Sequence, residues 1–426
     1  MTASRLWPVR MQRVALVARD EDLPAVLDVV GAAGAVELEP LRTADRSPDT
    51  AAAMAAGAAG RDGCAALPGW CPANTRVALA ARIAPLGGAL VPLPNPPGAD
   101  PPTMLAPAGP ARRAFAPLVR TYGTVPYDDL DPTLPAGIAY VVMFGMMFAD
   151  VGHGLLLLTA ALVLRLRPPR RLARLRPVWP FVAGAGLASA GFGALLGECF
   201  GPTGLVPAFW LEPLADPVRL LVTGVVLGGV LLAGAYAVGV INRWREGGPA
   251  AALYAPSGIA GSGVFAGAAV AATGWYLRSL PLAVAGILLA AAGLGLAATG
   301  LRAAAGAGGA ALAQTLVQLF DLVIRIGANV VSFARLAAFG LTHAALGAVV
   351  WAGTAAAWHQ GGDWVPVAVV LFVVGNAVTF GLEVLVAGVQ ALRLEYYELF
   401  SRVFEATGRP FRPWRIAAPA KQEVPT

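Results

Sequence analysis

"FGMMFADVGHGLLLL", residues 144–158, sets one aspartate and one histidine among residues that are otherwise apolar or glycine. It lies inside an apolar run extending from about 135 to 166. One membrane helix needs about 20 apolar residues, with about 17 to 25 the usual range, so this run is too long for a single upright span. It reads either as one long helix carrying a buried charge or as two short helices turning near Gly152 and Gly154. Basic residues decide between them, because arginine and lysine favour cytoplasmic loops. The loop that follows, "RLRPPRRLARLRP" (165–177), carries six arginines, and "NRWREGG" (242–248) carries Arg243 and Arg245. The C-terminal segment adds Arg402, Arg409, Arg412, Arg415 and Lys421. By contrast, "GECFGPTGLVPAFWLEPLADP" (197–217) and "WHQGGDW" (358–364) contain neither arginine nor lysine. A single span from a cytoplasmic N-terminal domain would put every one of these loops on the wrong side. A hairpin puts them all right. Each arm would have about 16 residues and reach about 24 Å, short for a ~30 Å hydrocarbon core, so packing or local thinning must make up the difference.

The remaining apolar stretches fall at roughly 179–199, 217–242, 256–276, 280–301, 314–357 and 365–404. With the hairpin they predict an α-helical polytopic membrane protein of about eight spans, the last two long and tilted, with both termini cytoplasmic in the inner (plasma) membrane. Composition agrees. The 426 residues are 57% hydrophobic and 13% charged, with a mean hydropathy of +0.66. The net charge of +6 comes from arginine, since Lys421 is the sole lysine, and in a membrane protein such charge belongs to loops, so no nucleic-acid partner is expected. Cys64, Cys71 and Cys199 show no C-x-x-C spacing, and the opening residues lack the apolar core of a signal peptide.

The polar first third predicts a small α+β domain over 1–92. "RVALVA" alternates as a strand, "DEDLPAVLDVVGAAG" has helical spacing ending at glycine, and "AVELEP" reads as a second strand. "ALPGWCPANTRVALAARIAPLGGALVPL" repeats that order, giving two β-α-β units of the split kind. A Pro-rich linker over 93–133, a transmembrane domain over 134–404 and a cytoplasmic tail over 405–426 complete the expected organisation.

Two helices carry the chemistry. With Asp321 set to zero at about 100° per residue, Gln314, Gln318, Arg325, Ser332, Arg335, Thr342 and His343 fall within about 60°, and Asn329 just beyond. On the last run Asn376, Thr379, Glu383, Gln390 and Tyr397 share one direction, with Arg393 about 80° from Glu383. The amides and hydroxyls also suit interhelical hydrogen bonding. Charges in a bilayer cost at least about 2.5 to 3.5 kcal/mol on insertion scales, so Asp321, Arg335, Glu383 and Arg393 point to an ion path, with structural ion pairs the alternative. The sole lysine excludes a Walker P-loop, three scattered histidines serve metal ligation poorly, and no G-x-S-x-G or H-E-x-x-H motif occurs, so no cofactor is expected.

"FGMMFADVGHGLLLL", "VVSFARLAAFGLTHAAL" and "LVAGVQALRLEYYELFSRVFEATGRPFRPW" resemble three signature segments of the membrane a subunit of V-type and A-type rotary ATPases, subunit I in bacteria. The resemblance implies a stator with two half-channels that carry protons to and from carboxylates of a c-subunit ring, coupled to ATP turnover elsewhere. It implies that Arg335 separates the half-channels, that Glu383 and Asp321 are half-channel acids, that His343 occupies the family's histidine position, and that Gln390 and Arg393 shape the ring interface. The implied partners are c-ring proteolipids, peripheral and central stalk subunits and the bilayer. Such subunits carry a long coiled coil between two N-terminal lobes, whereas this chain has only the Ala-rich stretch near 50–63 there. A shortened paralogue with an assembly role, or a stand-alone ion transporter, are the alternatives. In either setting Asp150 and His153 are expected to hold the hairpin turn and line an outer aqueous entrance.

Overall fold

The computed structural model describes residues 7–39, 50–96, 98–105 and 109–416. Residues 40–49, which precede the Ala-rich stretch, and the end of the tail (417–426, with Lys421) lie outside the described residues. The chain divides into two compact units, one of 1–106, 123–131 and 406–426 and the other of 107–122 and 132–405.

In the first unit, β1 (Met11–Arg19), β2 (Glu37–Leu38), β3 (Ala59–Arg61), β4 (Cys64–Pro72) and β5 (Ala89–Pro92) form one antiparallel sheet. The order is β2-β4-β1-β5, with β3 added alongside β4. Met11 pairs with Pro72 and Arg19 with Cys64, so β1 and β4 match over their full lengths. Helices α1 (Leu23–Ala33), α2 (Ala51–Ala56) and α3 (Ala73–Ile83) complete the unit. Both β-α-β patterns therefore share one sheet, the split β-α-β arrangement. Leu23, Val26, Leu27 and Val30 follow helical i, i+3, i+4, i+7 spacing and are all buried, facing Val14, Leu16 and Leu67 in the core.

The segment after the last membrane helix belongs to this same core instead of trailing as a separate tail. Trp414 is buried among the strand residues and donates its backbone N–H to Val36 O at 2.8 Å. Arg409 pairs with Glu37 and Glu39, both at 3.0 Å, and the Arg412 backbone donates to Glu37 at 2.8 Å. An indole of that size is driven inside by its apolar area, which the alternating strand pattern alone does not reveal.

The second unit is helical. It comprises α4 (Gly109–Tyr122), α5 (Thr133–Met147), α6 (Val151–Leu166), α7 (Trp179–Leu196), α8 (Pro217–Tyr254), α9 (Ile259–Tyr276), α10 (Leu280–Ala305), α11 (Gly309–Ser332), α12 (Ala334–Gln360) and α13 (Trp364–Leu394). Five helical stretches among the described residues are long and apolar enough to cross a membrane: 170–196, 217–254, 280–305, 309–360 and 364–403. The helices α5 and α6 are shorter apolar helices, joined by a turn at Phe148–Asp150, so the 135–166 run is a hairpin. Helix α4 falls in the stretch read as a Pro-rich linker. Phe115, Leu118 and Val119 bury one side of it, a spacing that the flanking prolines obscured. In α8 the helical path breaks at Gly247 and Gly248, just before Pro249.

The run read as one helix over 314–343 also breaks. Phe333 is fully buried between α11 and α12, and Leu336 N–H bonds Phe333 O at 3.0 Å, a tightened i to i+3 turn. Its ring lies against Gly228 of α8, where a Cβ would sit only 2.0 Å from it. The polar stripe across this run is therefore divided, with Asp321 before the break and Arg335 after it. Helices α9 and α10 pack with their backbones close, as small residues allow: a Cβ on Gly286 would lie 2.3 Å from Ala271 N.

Burial sorts the three cysteines. Cys64 is exposed, Cys71 and Cys199 are buried, and burial pushes the Cys71 thiol up to about 11, so it stays protonated near neutrality. A water-soluble maleimide is expected to label one thiol per chain in the folded protein and three after denaturation. Intact-mass spectrometry reads the count, and rapid native labelling of Cys71 would contradict the placement of β4.

Candidate functional site

The centre of the second unit forms around the hairpin turn. Asp150 caps α6, its Oδ1 accepting the His153 backbone N–H at 2.7 Å, and its Oδ2 accepts Gly201 N–H at 3.1 Å. The turn is fixed from its other side too. Val151 N–H donates to Glu198 O at 2.9 Å, and Ser189 Oγ bonds the carbonyls of Phe148 and, at 3.2 Å, Asp150. Helix α7 reaches this backbone only because residue 193 is glycine, since a Cβ there would lie 2.4 Å from Val151 N.

Against the turn stand α12 and α13. His343 of α12 bonds Glu383 of α13 through Nδ1, and its Nε2 faces Asp150 Oδ2 at 3.7 Å. His153 Nδ1 lies 3.7 Å from the other oxygen of Asp150. The rings of Phe148, Phe200 and Phe380 surround His153 at centroid separations of 5.5, 5.2 and 5.4 Å. Asp150 is 0% exposed, His153 2% and His343 5%.

This burial corrects the expected aqueous entrance. The turn is held as anticipated, but Asp150 and His153 face inward to His343 and Glu383 because the 198–201 bend and α12 close over them. Gly201 and Gly347 meet backbone to backbone there, a Cβ on either one falling within 2.9 Å of the other residue.

The other candidates lie elsewhere. Asp321 pairs with Arg325 one turn away on α11, and both side chains are more than half exposed. The i, i+4 ion pair is thus present, and Asp321 does not reach Glu383. Arg335 begins α12 half-buried, with Nη1 buried and without a hydrogen-bond partner among the described residues. Ser332, Arg335 and Arg393 all face the carboxylate of Glu398, which sits in a π-helical turn at Glu395–Phe400 that continues α13. Gln390 is half-buried with Oε1 unpartnered, and Arg393 is exposed. Asn376 is buried, its amide donating to Phe372 O at 2.9 Å. Glu395, Glu398 and Arg402 are buried acids and a base that the helical stripes did not single out, although acids within "LEYYELF" were a visible signal.

The fold and centre define a multi-pass helical membrane protein with a buried group of carboxylates and imidazoles between its spans. The description "V-type ATPase 116kDa subunit family" matches residues 68–174. Over longer stretches the chain is similar to the A-type ATP synthase subunit I of Archaeoglobus fulgidus, 27% identical over 74% of this chain and 53% of the relative. The A-type ATP synthase subunit I of Aeropyrum pernix is 28% identical over 71% of this chain and 50% of its own length. A shorter, stronger likeness, 36% over 26% of this chain and 24% of the relative, is to V-type ATP synthase subunit I 2 of Treponema pallidum. The chain is similar to members of this V/A-type ATPase subunit family, and it spans about half the length of the curated archaeal relatives it matches.

Removing the Asp150 carboxylate deletes a helix cap and leaves the buried Gly201 N–H without its acceptor. Asp150→Ala is expected to destabilise the folded protein by roughly 2 kcal/mol or more, and Asp150→Asn, which keeps one acceptor, by less. Thermal unfolding in detergent measures both; equal midpoints for wild type and Asp150→Ala would remove the carboxylate from this anchoring role.

Proposed function

We propose that this chain is the membrane-embedded stator subunit of a V/A-type rotary ATPase. It forms two half-channels that pass protons to and from the carboxylates of a c-subunit ring, coupled to ATP hydrolysis or synthesis in the partner sector. The observation that carries this reading is the contact of Glu383 with His343, inside the helical unit and eight residues (about 12 Å along α12) from Arg335. Around it sit a family-model match over residues 68–174 and relatives named for ATP synthase subunit I.

In this reading Arg335, with a buried donor unspent, meets each ring carboxylate as it passes. A nearby guanidinium favours the ionised carboxylate, so the proton leaves toward the exit path instead of crossing directly. Glu383 and His343 relay protons in one half-channel. Asp321, on the exposed side of α11, serves the other, and Gln390 and Arg393 meet the ring. Helices α11 and α13 leave long apolar faces uncovered, including Phe320, Ile324, Leu382, Leu385 and Val389, which suits contact with ring and lipid. Peripheral and central stalk subunits are the remaining partners.

Chain parity supports the expected topology. Segments from both ends of the chain share one compact unit, which supports an even number of crossings between them. In this reading helices α5 to α10, the α11–α12 pair and α13 are the eight crossings, five of these stretches being long and apolar enough by themselves, and the arginine loops favour both ends on the cytoplasmic side of the inner membrane. The division expected earlier, a domain over 1–92, a link over 93–133 and a membrane region over 134–404, is modified in this reading: α4 within the link joins the helical unit, and 123–131 and the last segment join the first domain. A second reading, an assembly subunit without transport, is favoured by the short connection between β2 and β4, which leaves little for a stator arm.

Arg335→Ala is expected to abolish ATP-coupled proton uptake in membrane vesicles while leaving the amount of inserted protein unchanged, and Glu383→Gln to slow uptake at least tenfold. Fluorescence quenching by a pH-sensitive dye reports both. Unaltered uptake in Arg335→Ala would overturn the transport reading, and wild-type co-purification with ring and ATPase sector without any uptake would select the assembly reading.

A further inference from the structure

We propose that Asp150, His153 and His343 form a binding site for one divalent cation of the zinc class, with Glu383 holding His343 in the liganding tautomer. The three residues come from the hairpin turn and α12, far apart in sequence, and each offers a ligand atom within 4.8 Å of the others. His153 Nδ1 and His343 Nε2 each lie 3.7 Å from Asp150, one on either carboxylate oxygen, against about 3.3 to 3.4 Å between ligands of a tetrahedral zinc ion with bonds of ~2.0–2.1 Å. Small side-chain rotations close the gap.

The ring nitrogens that would serve as donor atoms have no short hydrogen bond. Neither ring nitrogen of His153 has a partner at hydrogen-bonding distance, though the Asn376 side chain faces the ring, and His343 Nε2 faces Asp150 at 3.7 Å, beyond that distance. His343 commits its other nitrogen, Nδ1, to Glu383. A histidine that gives one N–H to a carboxylate leaves the opposite nitrogen bare and oriented, the usual outer support of a metal-bound imidazole. Asp150 receives the same support from its backbone donors, His153 N–H and Gly201 N–H, and each of its oxygens keeps a second lone pair.

Charge and ligand type agree. Among the described residues the only ion-pair partners of Asp150 and Glu383 are the two imidazoles. One divalent cation neutralises both carboxylates, whereas one protonated imidazole balances only one of them. Imidazole nitrogens favour zinc-like transition metals over magnesium or calcium, which select oxygen. Bound there, the cation would clasp the hairpin turn to α12. If the rotary reading holds, it would also occupy His343 and Glu383 and stop proton flow, a consequence that rests on that reading while binding does not.

The test uses the full chain purified in detergent, stripped with chelator and titrated with Zn2+ and with Co2+ as a spectroscopic substitute. Expected are one cation per chain and the visible absorption of tetrahedral Co2+. His153→Gln and His343→Gln are expected to abolish binding and Glu383→Gln to weaken it about 10- to 100-fold, while His359→Gln, the exposed third histidine, binds as wild type. Zinc-edge X-ray absorption of the wild type needs no variant and should report two imidazoles. Absence of stoichiometric binding, a shell without imidazole, or folded His153→Gln and His343→Gln proteins that bind like His359→Gln would overturn the site. Arg335→Ala protein should bind normally, so loss of transport and loss of the cation site are separate results.

Discussion

A carboxylate with no access to water must find its donors inside the protein, and Asp150 is the clearest such case in this chain. Its two oxygens hold the first turn of α6 and the bend at Gly201, and they face both histidines. Burying an ion without partners would cost several kcal/mol, so the surrounding elements are constrained to deliver partners to fixed positions. The hairpin is short because its turn must stop at this depth. Helix α7 carries glycine at 193 and serine at 189 because both contact the same turn. The position of α12 follows from His343, and that of α13 from Glu383.

Much of this architecture was legible from sequence by charge and length alone. An apolar run too long for one span, followed by six arginines, is enough to specify the hairpin. The alternation in "RVALVA" and the helical spacing of Leu23, Val26, Leu27 and Val30 likewise gave elements whose burial follows the pattern. These are local signals, set by the period of the element that carries them.

What was hidden depended on contacts between distant segments. Periodicity placed His343 and Glu383 on polar stripes, yet it had no means of bringing Asp150 and His153 to them, and so those two were assigned to water. The break at Phe333 was masked for a related reason. Phenylalanine is unremarkable inside a helix, and only the gap opened by Gly228 on α8 lets its ring sit there and tighten the turn. Trp414 was likewise read as part of a polar tail, because its partners lie on strands made hundreds of residues earlier.

That last contact imposes an order on biogenesis. The sheet emerges from the ribosome first, but its core lacks Trp414 and the ion pairs from Arg409 until the whole membrane region has been translated. The domain made first is therefore finished last. A chain arrested or truncated within its final helix would carry an N-terminal domain with an open apolar face.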